Sequence, residues 1–415
     1  MSTLRAIVVG GGIGGLTTAI AFARKGIRVT LLEQAAELGE IGAGIQLSPN
    51  ATRVLFAFGL ERALGEVAFR PEAVEARTWR RGALLSRVPL GAAAVAQFGA
   101  PYLHVHRADL IALLARAAAE HPLVELRLGT ACTDCASDEH GATLTLATAE
   151  SITADLVVGA DGIRSTVRTA LFGPEQPRFT GNVAWRGLVP AGVLDGAGVR
   201  PVAALWMGPS AHFVHYFVRG GRLVNFVGVV ERDDWRDESW SARGDKRDLL
   251  RDFSGWHPTV QAIVAEADGN ACFRWALFDR DPLARWSRGA ATLIGDACHP
   301  MLPFMAQGAC MAIEDAAMLA EYISTSTAGA LPEALARYET VRRPRTAGIQ
   351  LGSRRNRELY HMRAPRSWVR NLRMRSGRGL AAQTAPLYGY DAFAAAEIER
   401  MSYDPGMHDG GPRIP

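Results

Sequence analysis

Cysteine is scarce in this sequence, with five residues scattered through a chain of 415. An odd number of widely spaced cysteines does not suggest a disulfide framework, so we expect a reducing, cytoplasmic environment. Cys132 and Cys135 form a lone CxxC pair. Because structural zinc sites need four ligands and no second pair follows, we predict no metal site.

Long uninterrupted apolar runs are also missing. Residues 6–23 are apolar overall, but five glycines lie between Gly10 and Gly15. Glycine is unfavourable inside a helix, and no basic segment with a cleavage site accompanies the run. We therefore predict a turn between a strand and a helix, and no membrane span or signal peptide.

Strong net charge is the third missing feature, since the formal net charge is only +4. A nucleic-acid-binding protein usually concentrates more positive charge than this on one face, so no nucleic-acid partner is expected. The segment from Arg342 to Arg378 nevertheless holds twelve arginines and a single acid, Glu358. It is either a solvated helical face that pairs with acids elsewhere or a contact surface for an anionic partner.

Short apolar strands and helices alternate along the rest of the chain. Residues 5–9 and 28–32 form strands on either side of a helix from Leu16 to Arg24, the order of a βαβ unit. The run Ser48-Pro49-Asn50 is expected to cap a helix that begins at Ala51. Between 179 and 230, four strand-like segments separated by turns predict an antiparallel sheet. Further helices are expected at 107–120, 308–324 and 332–353.

The pattern predicts an α/β fold in which a Rossmann-like nucleotide-binding domain is interleaved with a mostly antiparallel β-sheet domain and followed by C-terminal helices. The predicted limits are 1–175 for the nucleotide-binding domain with second-domain strands around 70–105, 176–285 for the second domain, 286–355 for the return to the first, and 356–415 for a helical segment and tail.

Gly10, Gly12 and Gly15 complete a GxGxxG pattern between the first strand and helix. The first glycine permits a tight turn, the second allows close approach of a pyrophosphate, and the third lets helix and strand pack closely. The anion would lie at the helix N-terminus. Glu33 closes the second strand, where an acid can accept hydrogen bonds from a ribose diol. This motif alone does not choose between FAD and NAD.

Two further motifs make that choice. The run GADGIRS at 159–165 and the run GDACHPMLPFMAQGACMAIEDA at 295–316 each follow a short strand. Together with GxGxxG, and in this order, they resemble the single-component FAD-dependent aromatic hydroxylases, also called group A flavoprotein monooxygenases. The resemblance covers nearly the whole chain. Within the group it is to the salicylate hydroxylase, 3-hydroxybenzoate 6-hydroxylase and 6-hydroxynicotinate 3-monooxygenase cluster.

The resemblance implies an FAD site. Glu33 would hold the ADP half, Cys132 would meet the adenine side through its backbone, and Asp161 would lie near the pyrophosphate and the approach of the nicotinamide. Asp296 would bind the ribityl chain, whereas His299 is expected to be structural. The implied cofactor-binding set is Gly12, Gly14, Gly15, Glu33, Gln34, Arg107, Cys132, Asp161, Asp296, Pro303, Gly308 and Ala309.

The substrate is expected beneath the middle sheet. Alternation along a strand places His212, Val214 and Tyr216 on one face and His215 on the other. His212 and Tyr216 match active-site positions in the resembling cluster, and a histidine near neutrality suits deprotonation of a ring hydroxyl.

Three further residues complete the predicted substrate site. Gln46 could orient a substrate carboxylate. Arg186 is a candidate carboxylate ligand or an ordinary strand arginine. Phe304 would make one side apolar, and because the 6-hydroxynicotinate enzymes carry histidine at the positions of Gln46 and Phe304, that substrate is in doubt.

The function implied is hydroxylation of a small phenolic or hydroxylated aromatic acid with NADH or NADPH and O2, through a flavin C4a-hydroperoxide. No second nucleotide fingerprint is visible, so the nicotinamide is expected to bind transiently. Alternatives are a flavin-dependent reductase, a non-catalytic binding protein, or a membrane-associated quinone-ring hydroxylase. Against the last, no amphipathic anchor with aromatic residues on one face is evident. A homodimer is left open.

Overall fold

The computed structural model describes residues 4–39, 43–234, 242–376 and 380–402. Three parts of the chain discussed above lie outside the described residues: Gly42 in the loop before Gln46, Arg378 at the end of the arginine-rich segment, and the tail after residue 402. The strands of the described part are β1 (Arg5–Val9), β2 (Arg28–Leu32), β3 (Gly44–Leu47), β4 (Ala73–Thr78), β5 (Leu84–Pro89), β6 (Leu103–His106), β7 (Val124–Arg127), β8 (Cys132–Ser137), β9 (Ala142–Leu146), β10 (Ser151–Ala154), β11 (Leu156–Gly159), β12 (Arg178–Pro190), β13 (Ala203–Gly208), β14 (Ala211–Val218), β15 (Leu223–Glu231), β16 (Phe273–Asp279) and β17 (Ala291–Leu293).

The α-helices alternate with these strands in the first half and dominate the end of the chain. They are α1 (Ile13–Arg24), α2 (Pro49–Ala57), α3 (Glu61–Val67), α4 (Ala92–Phe98), α5 (Arg107–Ala119), α6 (Thr166–Phe172), α7 (Lys246–Asp252), α8 (Pro258–Glu266), α9 (Gly308–Ile323), α10 (Leu331–Tyr360), α11 (Arg366–Arg375), α12 (Leu380–Tyr388) and α13 (Ala392–Ser402).

A five-stranded parallel sheet in the order β17-β11-β1-β2-β7 forms the centre of the larger hydrophobic core. The strands β17, β11, β1 and β2 are short, apolar and mostly buried, as expected when helices cover both faces of a parallel sheet, whereas the edge strand β7 is partly exposed. Because the strands run parallel, the turn after β1 and the loop after β17 both lie at the carboxyl edge of this sheet. Only β11 separates these two strands. Ligands of open parallel sheets bind at such an edge.

A seven-stranded sheet in the order β16-β12-β15-β14-β13-β4-β5 lies over that edge. All neighbours in it are antiparallel except β13 and β4, which run parallel. One face packs with α7 and α8 into a second hydrophobic core. The α/β fold with its mostly antiparallel second sheet is thereby confirmed. β6 pairs with β3 in a separate two-stranded sheet.

Helix α10 is longer than the sequence predicts. It begins at Leu331 and ends at Tyr360, whereas the expected end was near Ser353. The last two turns persist because their inner face is buried: the Asn356 side chain and the Tyr360 hydroxyl both donate to the Phe304 carbonyl oxygen. Tertiary contacts have overridden the weak helix preference of Gly352 and Ser353.

The arginine-rich segment divides into a paired part and an exposed part. Arg342, Arg345 and Arg354 on α10 form ion pairs with acidic side chains of α9 and β16, as one of the two interpretations expected. The idea of a solvated face was wrong for Arg342, whose side chain is fully buried.

Helix α11 carries exposed apolar side chains. Arg370 and Met374 are buried, whereas Trp368, Val369 and Leu372 face outward and are 69%, 53% and 72% exposed. The helix therefore turns these three apolar side chains, including the aromatic Trp368, towards the outside, where exposed arginines flank them. The arginines hid this pattern in the sequence. Within the described part of the chain, no helix is both long and apolar enough to cross a membrane.

Candidate active site

A cavity of about 430 Å³ separates the parallel sheet from the seven-stranded sheet. Of the predicted cofactor residues, it is lined by Gly12, Gly14, Arg107, Asp296, Pro303, Gly308 and Ala309. All five predicted substrate-binding residues line it as well, namely Gln46, Arg186, His212, Tyr216 and Phe304. The remaining predicted cofactor residues, Gly15, Glu33, Gln34, Cys132 and Asp161, lie outside this lining.

The glycine-rich turn has the geometry that GxGxxG requires. Gly10 has a φ of +109°, and a Cβ there would meet the Ala160 carbonyl oxygen at 2.4 Å. A Cβ on Gly15 would lie 1.8 Å from the Gly10 carbonyl oxygen, so strand and helix touch at this point. Around Gly12, by contrast, a Cβ would meet nothing within 4 Å. The turn thus leaves open space at the N-terminus of α1.

Glu33 lies beside this turn. One carboxylate oxygen accepts from the Gly11 N–H at 2.7 Å and the other from the Ala35 N–H at 2.8 Å. Two backbone donors hold the carboxylate at the end of β2. Gln34 next to it is exposed.

Asp161 is turned away from the cavity that its neighbours line. Its Oδ2 accepts from the backbone N–H groups of Thr166 and Val167, and its Oδ1 accepts from the Ser165 hydroxyl. The carboxylate therefore caps the N-terminus of α6. Burial raises the pKa of Asp161, and these hydrogen bonds act in the opposite direction.

The CxxC pair is part of β8. Burial raises the pKa of the Cys132 thiol to about 11 and that of Cys135 to about 12. Both thiols therefore stay protonated near neutrality.

The start of α9 is held by a buried polar network. The Gln307 side-chain amide donates to the Ser48 hydroxyl at 2.9 Å and accepts from Asn50 at 3.2 Å, and Asn50 also donates to Glu314 at 2.7 Å. Helix α2 begins at Pro49, two residues before the predicted start at Ala51, and the Ser48 side chain makes no capping hydrogen bond. Ser48 instead fixes the residue before Gly308.

His299, which the sequence predicts to be structural, contacts an acidic residue of α9. Its Nε2 lies 2.6 Å from Asp315 Oδ2, and both side chains are buried. Cys298, His299 and Asp315 lie close enough to consider a metal. However, the Asp315 carboxylate is already shared among the Gly295 N–H, His299 and Arg342.

FAD can be tested against these residues. The cavity receives the N-termini of α1 and α9, which begin next to Gly12 and at Gly308, and free N–H groups at such ends attract anions. Arg107 adds a positive charge and Asp296 adds oxygen acceptors. Burial raises the pKa of Asp296, opposed by His299 and Arg107. A dinucleotide with a pyrophosphate and a polyol fits this donor set.

Strand β14 presents its two faces as the alternation predicts. His212, Val214 and Tyr216 line the cavity. On the other face, His215 accepts from the Trp206 indole N–H at 3.2 Å and packs near the second core. The cavity face of this strand thus holds one histidine, His212.

His212 is linked to two residues that the sequence did not suggest. Its Nδ1 lies 2.8 Å from His361 Nε2, and His361 Nδ1 lies 3.0 Å from Glu231 Oε1. His212 and His361 are buried, while 40% of the Glu231 side chain is exposed. Burial, followed by the neighbouring His361, lowers the pKa of His212. We call these three residues the histidine relay.

Tyr216 closes the cavity near the Gln46 loop. A Cβ on Gly44 would lie 2.7 Å from the Tyr216 hydroxyl, so only glycine fits beneath it. Burial raises the pKa of Tyr216. Gln46 Oε1 accepts from the Tyr102 hydroxyl at 2.6 Å, a contact that sequence patterns did not reveal.

Arg186 lies on β12, two strands from β14 in the same sheet. Its side chain is only 2% exposed, and its guanidinium lies 5.0 Å from the Trp275 ring centroid and 5.5 Å from that of Phe273. The aromatic rings support a cation inside the cavity. In the direction of His212, the wall is apolar, because Phe304 packs edge to face on the His212 ring at 4.9 Å.

Comparisons with known proteins agree with this geometry. The family model described as "FAD binding domain" matches residues 3–350. The 3-amino-4-hydroxybenzoate 2-monooxygenase of Streptomyces platensis is 41% identical over 94% of this chain and 96% of its own length. The 3-hydroxybenzoate 6-hydroxylase of Klebsiella oxytoca is 40% identical over 89% and 92%. The chain belongs to the FAD-dependent aromatic monooxygenases.

A solved structure of this family extends the agreement to the fold. The salicylate hydroxylase substrate complex superposes with a TM-score of 0.81, at 27% identity, over 96% of this monooxygenase and 98% of that chain. The predictions of an FAD-dependent enzyme and of aromatic hydroxylation are confirmed. The roles of individual residues and the substrate are taken up as proposals below.

Proposed function

We propose that this monooxygenase hydroxylates the ring of a small phenolic acid of the hydroxybenzoate type, with NADH or NADPH and O2 as co-substrates. The observation that carries the proposal is the pairing, in one cavity, of a buried cation at Arg186 with a buried neutral base at His212. Relatives named for 3-hydroxybenzoate and 3-amino-4-hydroxybenzoate support this substrate class.

FAD when bound would take electrons from the nicotinamide and deliver one oxygen atom to the ring. The N-termini of α1 and α9, Arg107 and Asp296 would hold it, and Glu33 would bind its ribose. Asp161 would act through its cap on α6, which fixes the GADGIRS loop beside the cavity.

The protein's own work in the reaction would be to bind, orient and deprotonate the substrate. Arg186 would pair with the carboxylate, and Phe304 with Trp275 would exclude water around the ring. His212 would accept the proton of the ring hydroxyl, because a phenolate donates electron density to the ring much more strongly than a phenol. Its lowered pKa keeps it unprotonated, and so able to accept, throughout the neutral range.

Tyr216 and Gln46 would complete the positioning. The raised pKa of Tyr216 keeps its hydroxyl protonated, so that it can donate a hydrogen bond to the substrate oxygen. Gln46 would orient the same end of the substrate through its amide.

The experiment is a substrate panel on the purified yellow protein. NADH and NADPH oxidation in air would be followed with salicylate, 3-hydroxybenzoate, 4-hydroxybenzoate, 3-amino-4-hydroxybenzoate and hydroxynicotinates, together with hydrogen peroxide and product mass. We expect one hydroxybenzoate to stimulate oxidation and to gain one oxygen atom. Two results would reject this function in favour of a reductase. In one, the acids stimulate NAD(P)H oxidation but hydrogen peroxide is the only product; in the other, NAD(P)H is oxidised equally fast without any acid.

A further inference from the structure

We propose that the histidine relay moves the substrate proton from the cavity to the protein surface, with His361 and Glu231 as positioning residues that set the protonation state of His212. The inference rests on the proposed function for the source of the proton. It stands on the two short ring-nitrogen contacts and on the gradient of burial from His212 outward.

The hydrogen bonds fix the direction of the relay. A carboxylate can only accept, so the contact with Glu231 requires the proton of neutral His361 to be on Nδ1. The Nε2 of His361 is then an acceptor, and the contact of 2.8 Å requires His212 to donate from its Nδ1. His212 Nε2 is left with its lone pair, which is the form that a base needs.

The proton balance follows from this arrangement. The substrate O–H bond breaks as an N–H bond forms at His212 Nε2, and the His212 Nδ1 proton passes to His361 Nε2. The positive charge then lies on His361 beside the Glu231 carboxylate, away from the cavity. Water can take the Nδ1 proton of His361 at the exposed end, which leaves both rings as Nε2–H tautomers. A proton that enters from water by the same path, while the Nε2 proton of His212 passes to the product oxygen, returns both rings to the starting tautomers.

The surroundings favour transfer in this direction. Around His212 stand Phe304 and Tyr360, whose rings lie 4.9 and 5.3 Å away, so a charge there would be poorly solvated. Glu231, on the other side of His361, is ionised at neutral pH, because the hydrogen bond from His361 is the main cause that lowers its pKa. Ser210 and Arg357 also lower that pKa.

The anchoring of His361 supports a defined position. His361 directly follows the last residue of α10, and its backbone carbonyl accepts from the Ser210 N–H at 3.0 Å, while the Glu231 N–H donates to the Ser210 carbonyl at 2.9 Å. One residue, Ser210, therefore holds both outer members. The turn between β13 and β14 thus supports the relay.

The first test uses the resting FAD-loaded enzyme with ¹⁵N-labelled histidine. His212 should show the neutral Nδ1–H tautomer at pH 7, assigned through the loss of its resonances in His212→Gln. Observation of an Nε2–H tautomer for His212 would overturn the relay. This result does not depend on any substrate, so it is separate from the outcome of the substrate panel.

The second test removes the charge of Glu231 without changing its shape. In Glu231→Gln and His361→Gln, kcat at pH 7 should fall by about 10- to 100-fold with FAD content unchanged. The ultraviolet spectrum of the bound phenolic acid, recorded without NADH, should show phenolate formation displaced to higher pH. A KM effect alone, with unchanged phenolate titration, would overturn the relay.

Glu150→Gln is the matched control, because Glu150 is similarly exposed and paired with Arg127. It should leave kcat and the phenolate titration at the wild-type values. If wild-type enzyme ionises a bound phenolic acid yet adds no oxygen to it, the proposed function fails while the relay stands. If oxygen is added but the Glu231 and His361 variants behave as wild type, the relay alone fails.

Discussion

Arg342 and Asp315 form an ion pair in which the guanidinium Nε lies 2.7 Å from the carboxylate Oδ1 and both side chains are fully buried. The same guanidinium reaches Glu314 at 2.6 Å. Burial alone would raise the pKa of Asp315, but His299 and Arg342 lower it to about 2. The C-terminal helix α10 is therefore bound to the middle of α9 through charges that water cannot reach.

We predict that Arg342→Met destabilises the fold severely, because it removes the cation from the buried Asp315 carboxylate and leaves Glu314 paired with Arg345 alone. The expected loss in the free energy of unfolding is about 3–5 kcal/mol. Arg343→Met is the control, since Arg343 forms a half-exposed pair with Glu339 along the same helix and should cost less than about 1 kcal/mol. Urea unfolding measures both, and equal losses would contradict the prediction.

The two glycines of the first turn should respond differently to alanine. Gly15→Ala places a Cβ on the Gly10 carbonyl oxygen, so we expect little soluble protein and no bound FAD. Gly12→Ala meets no protein atom and should fold with a melting temperature near the wild-type value, but it should retain less FAD because its Cβ enters the cavity. Flavin absorbance per mole of protein measures the FAD content of the two variants, and thermal melts measure their stability. Full FAD content in Gly15→Ala would show that the packing is looser than described.

Acid should destabilise the protein through His215. Burial, with Arg77 adding to it, lowers its pKa to about 3. In the unfolded chain this histidine has a pKa near 6.5, so between pH 6.5 and 3 it is protonated in the unfolded state but not in the folded state. The stabilising contribution is complete above pH 6.5 and is lost as the pH falls from there towards 3.

The size of this effect gives a measurement. Between pH 7 and pH 5 the free energy of unfolding should fall by about 2 kcal/mol on account of His215, at 1.36 kcal/mol for each pH unit below 6.5. In His215→Gln, which can still accept from Trp206, that part of the slope should vanish. His140→Gln is the control, because its side chain is 83% exposed. A slope that survives in His215→Gln would place the acid sensitivity elsewhere.

Arg186→Met should separate substrate binding from chemistry. If Arg186 pairs with the substrate carboxylate, KM for the preferred hydroxybenzoate should rise by about 10- to 100-fold, as expected for a charged hydrogen bond of ~1.5–3 kcal/mol. The uncharged phenol that lacks the carboxyl group should show little change in kcat/KM between the two proteins. Equal losses for acid and phenol would mean that Arg186 only supports Trp275 in the wall.

The sequence was sufficient where local periodicity decides the structure. Strand alternation placed His212 and His215 on opposite faces, and the glycine spacing located the turn at Gly10 and Gly15. These features depend on neighbours within a few residues, so they are visible in any short window.

The outer part of the relay could not be predicted in this way. His361 lies 149 residues after His212, and it reaches its place only because α10 continues past Ser353. That continuation depends on Asn356 and Tyr360 binding the Phe304 backbone, a contact without a sequence pattern. Ser48 is a second example. The run from Ser48 to Asn50 predicted a helix cap, but the Ser48 hydroxyl accepts a hydrogen bond from the Gln307 side chain instead.

The two faces of β14 also bear on how this enzyme could change its substrate over evolution. Single exchanges at 214 or 216 alter the cavity and leave the core around Phe213 intact, so specificity can change without loss of folding. An insertion or deletion of one residue would exchange the faces and ruin both at once. New activities in this lineage should therefore arise along β14 by substitution, while its length stays constant.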